Sequence, residues 1–427
     1  MSKRRANRSV SAALIRLVHP EKVRASSIRF RQTLGLGGMA FLLFMLQAVT
    51  GMLLRFVYEP TATGAYDSIL LIRQGVFFGE WIRNIHYWSG MLIIVLAFLH
   101  MLRVFYTQAY YPPRRINWIA GLFLLLLAVM FNFTGYLLPW DQLSYWAVTV
   151  ITNMLEYIPL VGEWLADSLR GGEEVGGPTL LIFYNLHTGV LPLIFSLLLV
   201  FHFWKVRKAG GVIVPRDGDN RFVYSVPELL GREVAVGLSL LAVIFLFSIF
   251  AEAPLLERAD PAFSPNPVKA PWYFAGVQEL LLHFHPGVAV FVIPMLMAAW
   301  LFSFPYMKSV QRDPGVWFYS SMGRRVVLHA AWISSLITLA GVLLSQYLVD
   351  FPALMPGIPE IFSNGFIPLL IWGLVYTMLT FVMKRLMKFG RSELNLWIFT
   401  CIIMAYFVLM TIGIFFRGES MALTLYL

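Results

Sequence analysis

Two apolar stretches of the chain each carry a pair of histidines at nearly the same spacing. His86 and His100 are fourteen residues apart in "RNIHYWSGMLIIVLAFLHMLRVF", and His187 and His202 are fifteen apart in "YNLHTGVLPLIFSLLLVFHFWKV". A helical rise of about 1.5 Å per residue puts the first two about 21 Å apart along their axis. Fourteen residues turn a helix to about 40° short of four turns and fifteen to about 60° past, so each pair faces roughly one way. Both stretches can cross a membrane and run in the same direction, so His86 matches His187 in depth and His100 matches His202. Ionisable residues are expensive in a span and usually functional. A lone histidine would suit a helix-to-helix hydrogen bond; four at two matched depths do not. Two facing imidazoles can ligate one haem iron axially, and helical bundles build such sites in their cores. Two depths then mean two haems stacked across the membrane. Zinc would want a tighter cluster of three or four ligands.

A haem is a wide flat plate, so the helices beside it must step back. Gly37 and Gly51 in one span, and Gly121 and Gly135 in another, are again fourteen apart. Glycine permits close approach, and it also serves ordinary packing between spans. Haem propionates need cations near the two surfaces. Arg83 flanks His86, while Arg103 and Arg207 flank His100 and His202; simple snorkelling is the alternative for each.

The rest of the chain must position these groups. It has 427 residues, 59% apolar and 13% charged, where soluble proteins carry about a quarter charged residues. Nine candidate spans follow, at about 33–56, 81–105, 117–138, 181–206, 233–251, 287–306, 325–348, 365–388 and 394–416. The expected fold is an all-α polytopic transmembrane bundle with a four-helix di-haem core. With the N-terminus in the cytoplasm, 26 of the 33 Lys and Arg fall inside. That is the positive-inside pattern, and it turns the net charge of +10 into a topology signal instead of a nucleic-acid footprint. The first thirty residues read as a basic surface helix on the inner leaflet, or as a disordered basic tail, with no cleavable leader. The expected divisions are 1–32 for this segment, 33–215 for the di-haem core, 216–350 for a quinol-site region and 351–427 for additional spans. The lone Cys401 excludes an internal disulfide, a CxxCH haem attachment and an iron–sulfur site within the chain.

Four histidines on the second and fourth spans, with glycine pairs on the first and third, resemble cytochrome b of the quinol–cytochrome c reductases. "GYLLPWDQLSYWAVTVITN" (135–153) is similar to the family's segment that roofs the outer quinol site; "FGEWIRNIHYWSG" and "RFVYEPT" also match. The fifteen-residue gap and short N-terminus look most like the photosynthetic b-type subunit, here followed on one chain by a region resembling that complex's small subunit. The resemblance implies two non-covalent b haems and quinol–quinone exchange at both ends. It also implies a Rieske iron–sulfur protein or c-type cytochrome as partner, in a dimeric multi-subunit complex of a bacterial inner membrane. The quinone would be menaquinone or ubiquinone.

Three departures qualify that likeness. The photosynthetic form tethers an extra haem on a cysteine where this chain has Gly35. The family's Pro-Glu-Trp-Tyr motif reads "APWY" here, with Trp272 and Tyr273 kept and Pro271 at the glutamate position. The proton acceptor of that motif is therefore missing. Glu279, seven residues after Trp272, is the expected replacement, ahead of His283 and His285 at the same end, with a surface pair to Lys269 or Arg258 as the bland alternative. The last two spans extend beyond the small-subunit likeness and read as packing surface for partner subunits. Two other functions stay open. A membrane anchor of another respiratory oxidoreductase would keep both haems without a bifurcating Rieske partner. A haem-free transporter would leave the histidine pairs unexplained.

Overall fold

The computed structural model describes residues 21–215, 219, 221–307 and 314–424. Among them nine helices are long and apolar enough to cross a membrane, as the hydropathy pattern requires. The chain is a multi-pass membrane protein. In chain order the first spans are α1 (Leu36–Arg55), α2 (Gly79–Tyr106) and α3 (Arg115–Tyr136). The surface helix α4 (Gln142–Leu155) follows, and then the span α5 (Gly177–Lys208). Next come the span α6 (Leu230–Phe250) and the short helix α7 (Ala275–Leu281). The last four spans are α8 (Gly287–Tyr306), α9 (Ser321–Tyr347), α10 (Phe362–Met387) and α11 (Arg391–Phe415).

The spans α1, α2, α3 and α5 surround a common core. Leu43 and Phe44 of α1, Ile93 and Leu96 of α2 and Phe195 of α5 are buried together, with Leu124 and Phe131 of α3 packed against them. The loop after α3 turns sharply at Trp140, and Asp141 caps α4 by accepting from Ser144 N at 2.9 Å. Asp141 also accepts from Leu256 N at 3.1 Å, so α4 is tied down over the loop that leaves α6.

α5 is not a uniform helix. Leu186–Val190 forms one π-helical turn, and the Leu191 amide closes it on the Leu186 carbonyl. Such a turn absorbs one extra residue inside an α-helix. It contains His187. The spacing of fifteen in α5 thereby becomes equivalent to the spacing of fourteen in α2, which corrects the 60° offset expected for an unbroken helix.

The N-terminal surface helix expected over the first thirty residues falls mostly on residues outside those described. Its described part is instead a short strand, Lys22–Arg24, paired antiparallel with Phe222–Tyr224. Beyond it, Gln32 donates to the Gly315 carbonyl at 2.7 Å.

The last two spans differ from each other. α10 is peripheral, with Leu370, Leu374 and Met378 on an exposed apolar face. α11 is in part buried within the chain itself, which hydropathy alone does not show. Leu396, Trp397 and Phe399 have no exposed surface, and Phe399 stacks on Phe105 of α2 at 3.6 Å between ring centroids. Hydropathy gives a span's length but not its neighbours, so the two helices look alike in the sequence.

Candidate functional site

The four histidines meet in two pairs. His86 and His187 have ring centroids 6.2 Å apart, and His100 and His202 6.5 Å apart; the planes are inclined by 72° in both. A metal–imidazole bond is about 2 Å, so centroids about 6 Å apart leave room for one metal between two ring nitrogens. Among the described residues there is no group of three or more metal-ligating side chains. Two nitrogens facing across a gap suit a metal that brings its own in-plane ligands, as haem iron does.

The local sequence sets the ring orientation. His187 Nδ1 lies 3.0 Å from the Phe131 carbonyl, which can only accept, so Nδ1 carries the proton and Nε2 keeps its lone pair. Thr134 Oγ1 is 3.2 Å from the same nitrogen. On the facing side Thr50 Oγ1 donates to the Leu46 carbonyl at 2.8 Å and stands 2.9 Å from His86 Nδ1. It therefore accepts from His86 and fixes the same tautomer. Metal-bound histidines usually hold their second N–H in this way. The threonines each precede a glycine, in "TG" at 50–51 and at 134–135. That repeated dipeptide was visible in the sequence, but both threonines were missed.

Each of the four glycines abuts one histidine. A Cβ at Gly37 would stand 3.1 Å from His100 Cε1, and one at Gly51 3.1 Å from His86 Cε1. The corresponding distance is 2.6 Å at Gly135 to His187 and 3.5 Å at Gly121 to His202. The clearance expected for a plate is thus, among protein atoms, clearance for the imidazoles. At the second level the residues before the glycines are Leu36 and Ala120, which offer no hydroxyl.

The arginines divide. Arg83 is buried and committed to backbone, donating to the carbonyls of Ala253 at 2.8 Å and Pro254 at 2.7 Å. Arg103 is buried too; its Nε donates to the Gln32 carbonyl at 3.1 Å, while Nη2 has no protein partner. A buried guanidinium nitrogen without an acceptor fits an anionic group such as a propionate. Arg207 is exposed near the end of α5.

Trp272–Phe274 forms a single 3-10 turn leading into α7. Tyr273 is buried and its hydroxyl lacks a partner. Burial pushes its phenol pKa up, and the rings of Tyr136 and Tyr87 lie within electrostatic reach. Trp272 Nε1 points at Met91 Sδ, 3.2 Å away.

Glu279 does not stand free beside this turn. It is fully buried, accepts from Arg417 Nε at 2.9 Å and Arg417 Nη2, and lies 3.1 Å from His283 Nε2. Burial alone would raise its pKa; the hydrogen bonds from His283 and Arg417 outweigh that and hold it below the usual value. The surface partners considered for it are elsewhere. Lys269 reaches the Ile414 carbonyl at 3.3 Å, and Arg258 pairs with Asp67.

Comparison with known proteins follows the same region. A family model described as Cytochrome b/b6/petB matches residues 22–210. Cytochrome b6 of Porphyra purpurea is 43% identical over 175 residues, 41% of this chain and 81% of that protein. Cytochrome b6 of Euglena gracilis is 44% identical over 175 residues, again 41% of this chain and 81% of the relative. Cytochrome b6 of Prochlorococcus marinus (strain MIT 9303) is 41% identical over 175 residues, 41% of this chain and 80% of the relative. A solved chain titled "Hyperthermophilic respiratory Complex III" superposes with a TM-score of 0.66 at 24% identity, covering 94% of this chain and 97% of that one. That likeness extends the fold beyond residues 22–210, which the family model matches. With four paired histidines inside the matched region and most of each relative's length covered, this chain belongs to the cytochrome b/b6 family.

Proposed function

We propose that the chain is the di-haem subunit of a bc-type quinol oxidoreductase, carrying electrons across the membrane between two quinone sites. The observation that carries this reading is the duplication of one geometry, two imidazole pairs at 6.2 and 6.5 Å with the same 72° inclination. His86 and His187 would hold one haem b, and His100 and His202 the other, both non-covalently. A haem b held between two histidines would supply single-electron exchange and would not bind oxygen. The chain itself does the positioning. Thr50, Thr134 and the Phe131 carbonyl hold the Nδ1 protons, so each Nε2 of that pair points its lone pair at the gap. The four glycines let α1 and α3 pass close to the rings. Arg103 offers a charge-assisted donor to a propionate at the His100 end.

At the His86 end, Trp272 and Tyr273 with the 136–153 segment would line the quinol-oxidising site. At the His100 end, His202, Arg207 and α1 would line the quinone-reducing site. The charge asymmetry of the loops supports an orientation with the first end outside and the N-terminus in the cytoplasm, and the membrane would be a bacterial inner membrane. An external Rieske protein or c-type cytochrome would take one electron, since Cys401 is this chain's sole cysteine and it is buried. A dimeric multi-subunit complex would house these partners, and the quinone would be menaquinone or ubiquinone.

Pro271 supports a second reading. Where the family resemblance calls for a carboxylate there is none, and Glu279 is already engaged. The chain could then anchor another respiratory oxidoreductase that exchanges electrons with quinone without bifurcation. Purification of the native complex separates the two. The bc-type reading expects a Rieske subunit to copurify, with two acid–acetone-extractable haems per chain by pyridine haemochrome. Haem at one per chain contradicts both readings, and two haems with a different oxidoreductase partner favours the second.

A further inference from the structure

The turn that carries Trp272 and Tyr273 is held from behind by α11, more than a hundred residues later in the chain. Tyr406 donates its hydroxyl to the Tyr273 carbonyl at 2.8 Å. Its ring lies flush on α7 because Gly276 is there; a Cβ at that position would come 2.7 Å from the ring. One helical stretch on, Gly413 meets the Ala275 carbonyl, which a Cβ would approach to 2.8 Å. Then Arg417 grips Glu279 through two nitrogens. Arg417 is itself fixed by Gln346 Oε1 at 2.9 Å and the Met421 carbonyl at 3.0 Å. His283, the third member of the group, is 3.0 Å from Ser345 Oγ of α9.

These contacts share one result. The Tyr273 hydroxyl has no partner of its own, so what fixes this residue is its backbone, and α11 fixes that backbone. We infer that α11 forms the rear wall of the quinol pocket, with Tyr406 and Arg417 as positioning residues for Tyr273. Tyr406 acts directly through the Tyr273 carbonyl. Arg417 acts through Glu279, which seats α7 and thereby the turn. Glu279 is in this scheme a buttress and not a base: both its oxygens are engaged by cationic or imidazole donors. The inference rests on the quinol reading of the "PWYF" end.

The test uses the intact native complex with four variants, Tyr406→Phe, Arg417→Gln, Arg417→Lys and Glu279→Gln. It combines steady-state oxidation of a short-chain naphthoquinol with amide hydrogen exchange and haem spectra. Tyr406→Phe is expected to raise the quinol KM about three- to tenfold, the size of one hydrogen bond, with kcat largely kept. Exchange should quicken in residues 272–282 but not in 83–105, and both haem spectra should stay unchanged. Arg417→Lys, which keeps the charge, should recover part of what Arg417→Gln loses. Glu279→Gln should raise KM while keeping every limb of the wild-type pH–rate profile. Wild-type KM in Tyr406→Phe overturns the inference whatever the exchange shows. A lost pH limb in Glu279→Gln also overturns it, making that carboxylate the proton acceptor. A wild-type complex that oxidises no quinol, with exchange still quickened by Tyr406→Phe, sinks the quinol reading and the pocket role together while leaving the clamp itself standing.

Discussion

Glycine 135 and glycine 121 occupy equivalent places beside two histidines, yet they leave different room. A Cβ would stand 2.6 Å from His187 at the first and 3.5 Å from His202 at the second. The first distance forces something to move; the second is ordinary contact. Overpacking a tight site costs about 1–3 kcal/mol. Gly135→Ala is therefore expected to lower the haem-to-protein ratio or the potential of the His86–His187 level, with Gly37→Ala and Gly51→Ala milder and Gly121→Ala silent. Haem content and redox titration of the four variants check the order. Equal effects at all four would show that a bound plate, and not the imidazole, sets the clearance. At this scale the histidines and glycines were legible from type and spacing alone. Thr50 and Thr134 were not, because a threonine in a span normally bonds its own helix, as both also do here. The partners of Glu279 were not legible for a related reason. Its spacing from Trp272 gives a distance along the helix, while Arg417, 138 residues later, decides where the carboxylate is held.

Helices fix the depth of a side chain, and their defects fix its direction. The π-turn at Leu186–Val190 reconciles spacings of fourteen and fifteen. It has a consequence that a plain helix would not share. Deleting Gly189, which sits in that turn with nothing near its missing side chain, should convert the turn to α-helix and leave His187 and His202 in register. Both haems should remain. Deleting Leu197, an exposed residue in the regular part of α5, should rotate one histidine by about 100° relative to the other. One haem should then be lost, read as a haem-to-protein ratio. Loss of haem in the Gly189 deletion would show that the π-turn does not absorb the extra residue. Span positions were readable because apolar runs have a minimum length in a bilayer. The π-turn was not read, although Pro192 in "YNLHTGVLPL" has no N–H for the Thr188 carbonyl and so marks a break in the α-helical ladder there. The burial of α11 was not readable either, because lipid and a helical core select the same apolar residues.

Across the whole molecule, two sites at two depths are held by the same four spans, and the central claim is that each binds a haem of its own. The levels are built from different residues: one has hydroxyl and carbonyl partners for Nδ1, while the other has Arg103 nearby, whose Nη2 has no protein partner. Unequal surroundings should give unequal potentials, so the levels can be told apart in one titration. Removing one histidine of a pair would take away one of the two residues that would hold the haem and leave the facing imidazole unpaired. The most direct measurement is a redox titration of the haem spectrum in His86→Ala, His187→Ala, His100→Ala and His202→Ala, purified alongside the wild type. The wild type should show two components. His86→Ala and His187→Ala should lose the same one, and His100→Ala and His202→Ala should lose the other. Loss of a single common component in all four variants, or only one component in the wild type, would contradict the two-level arrangement.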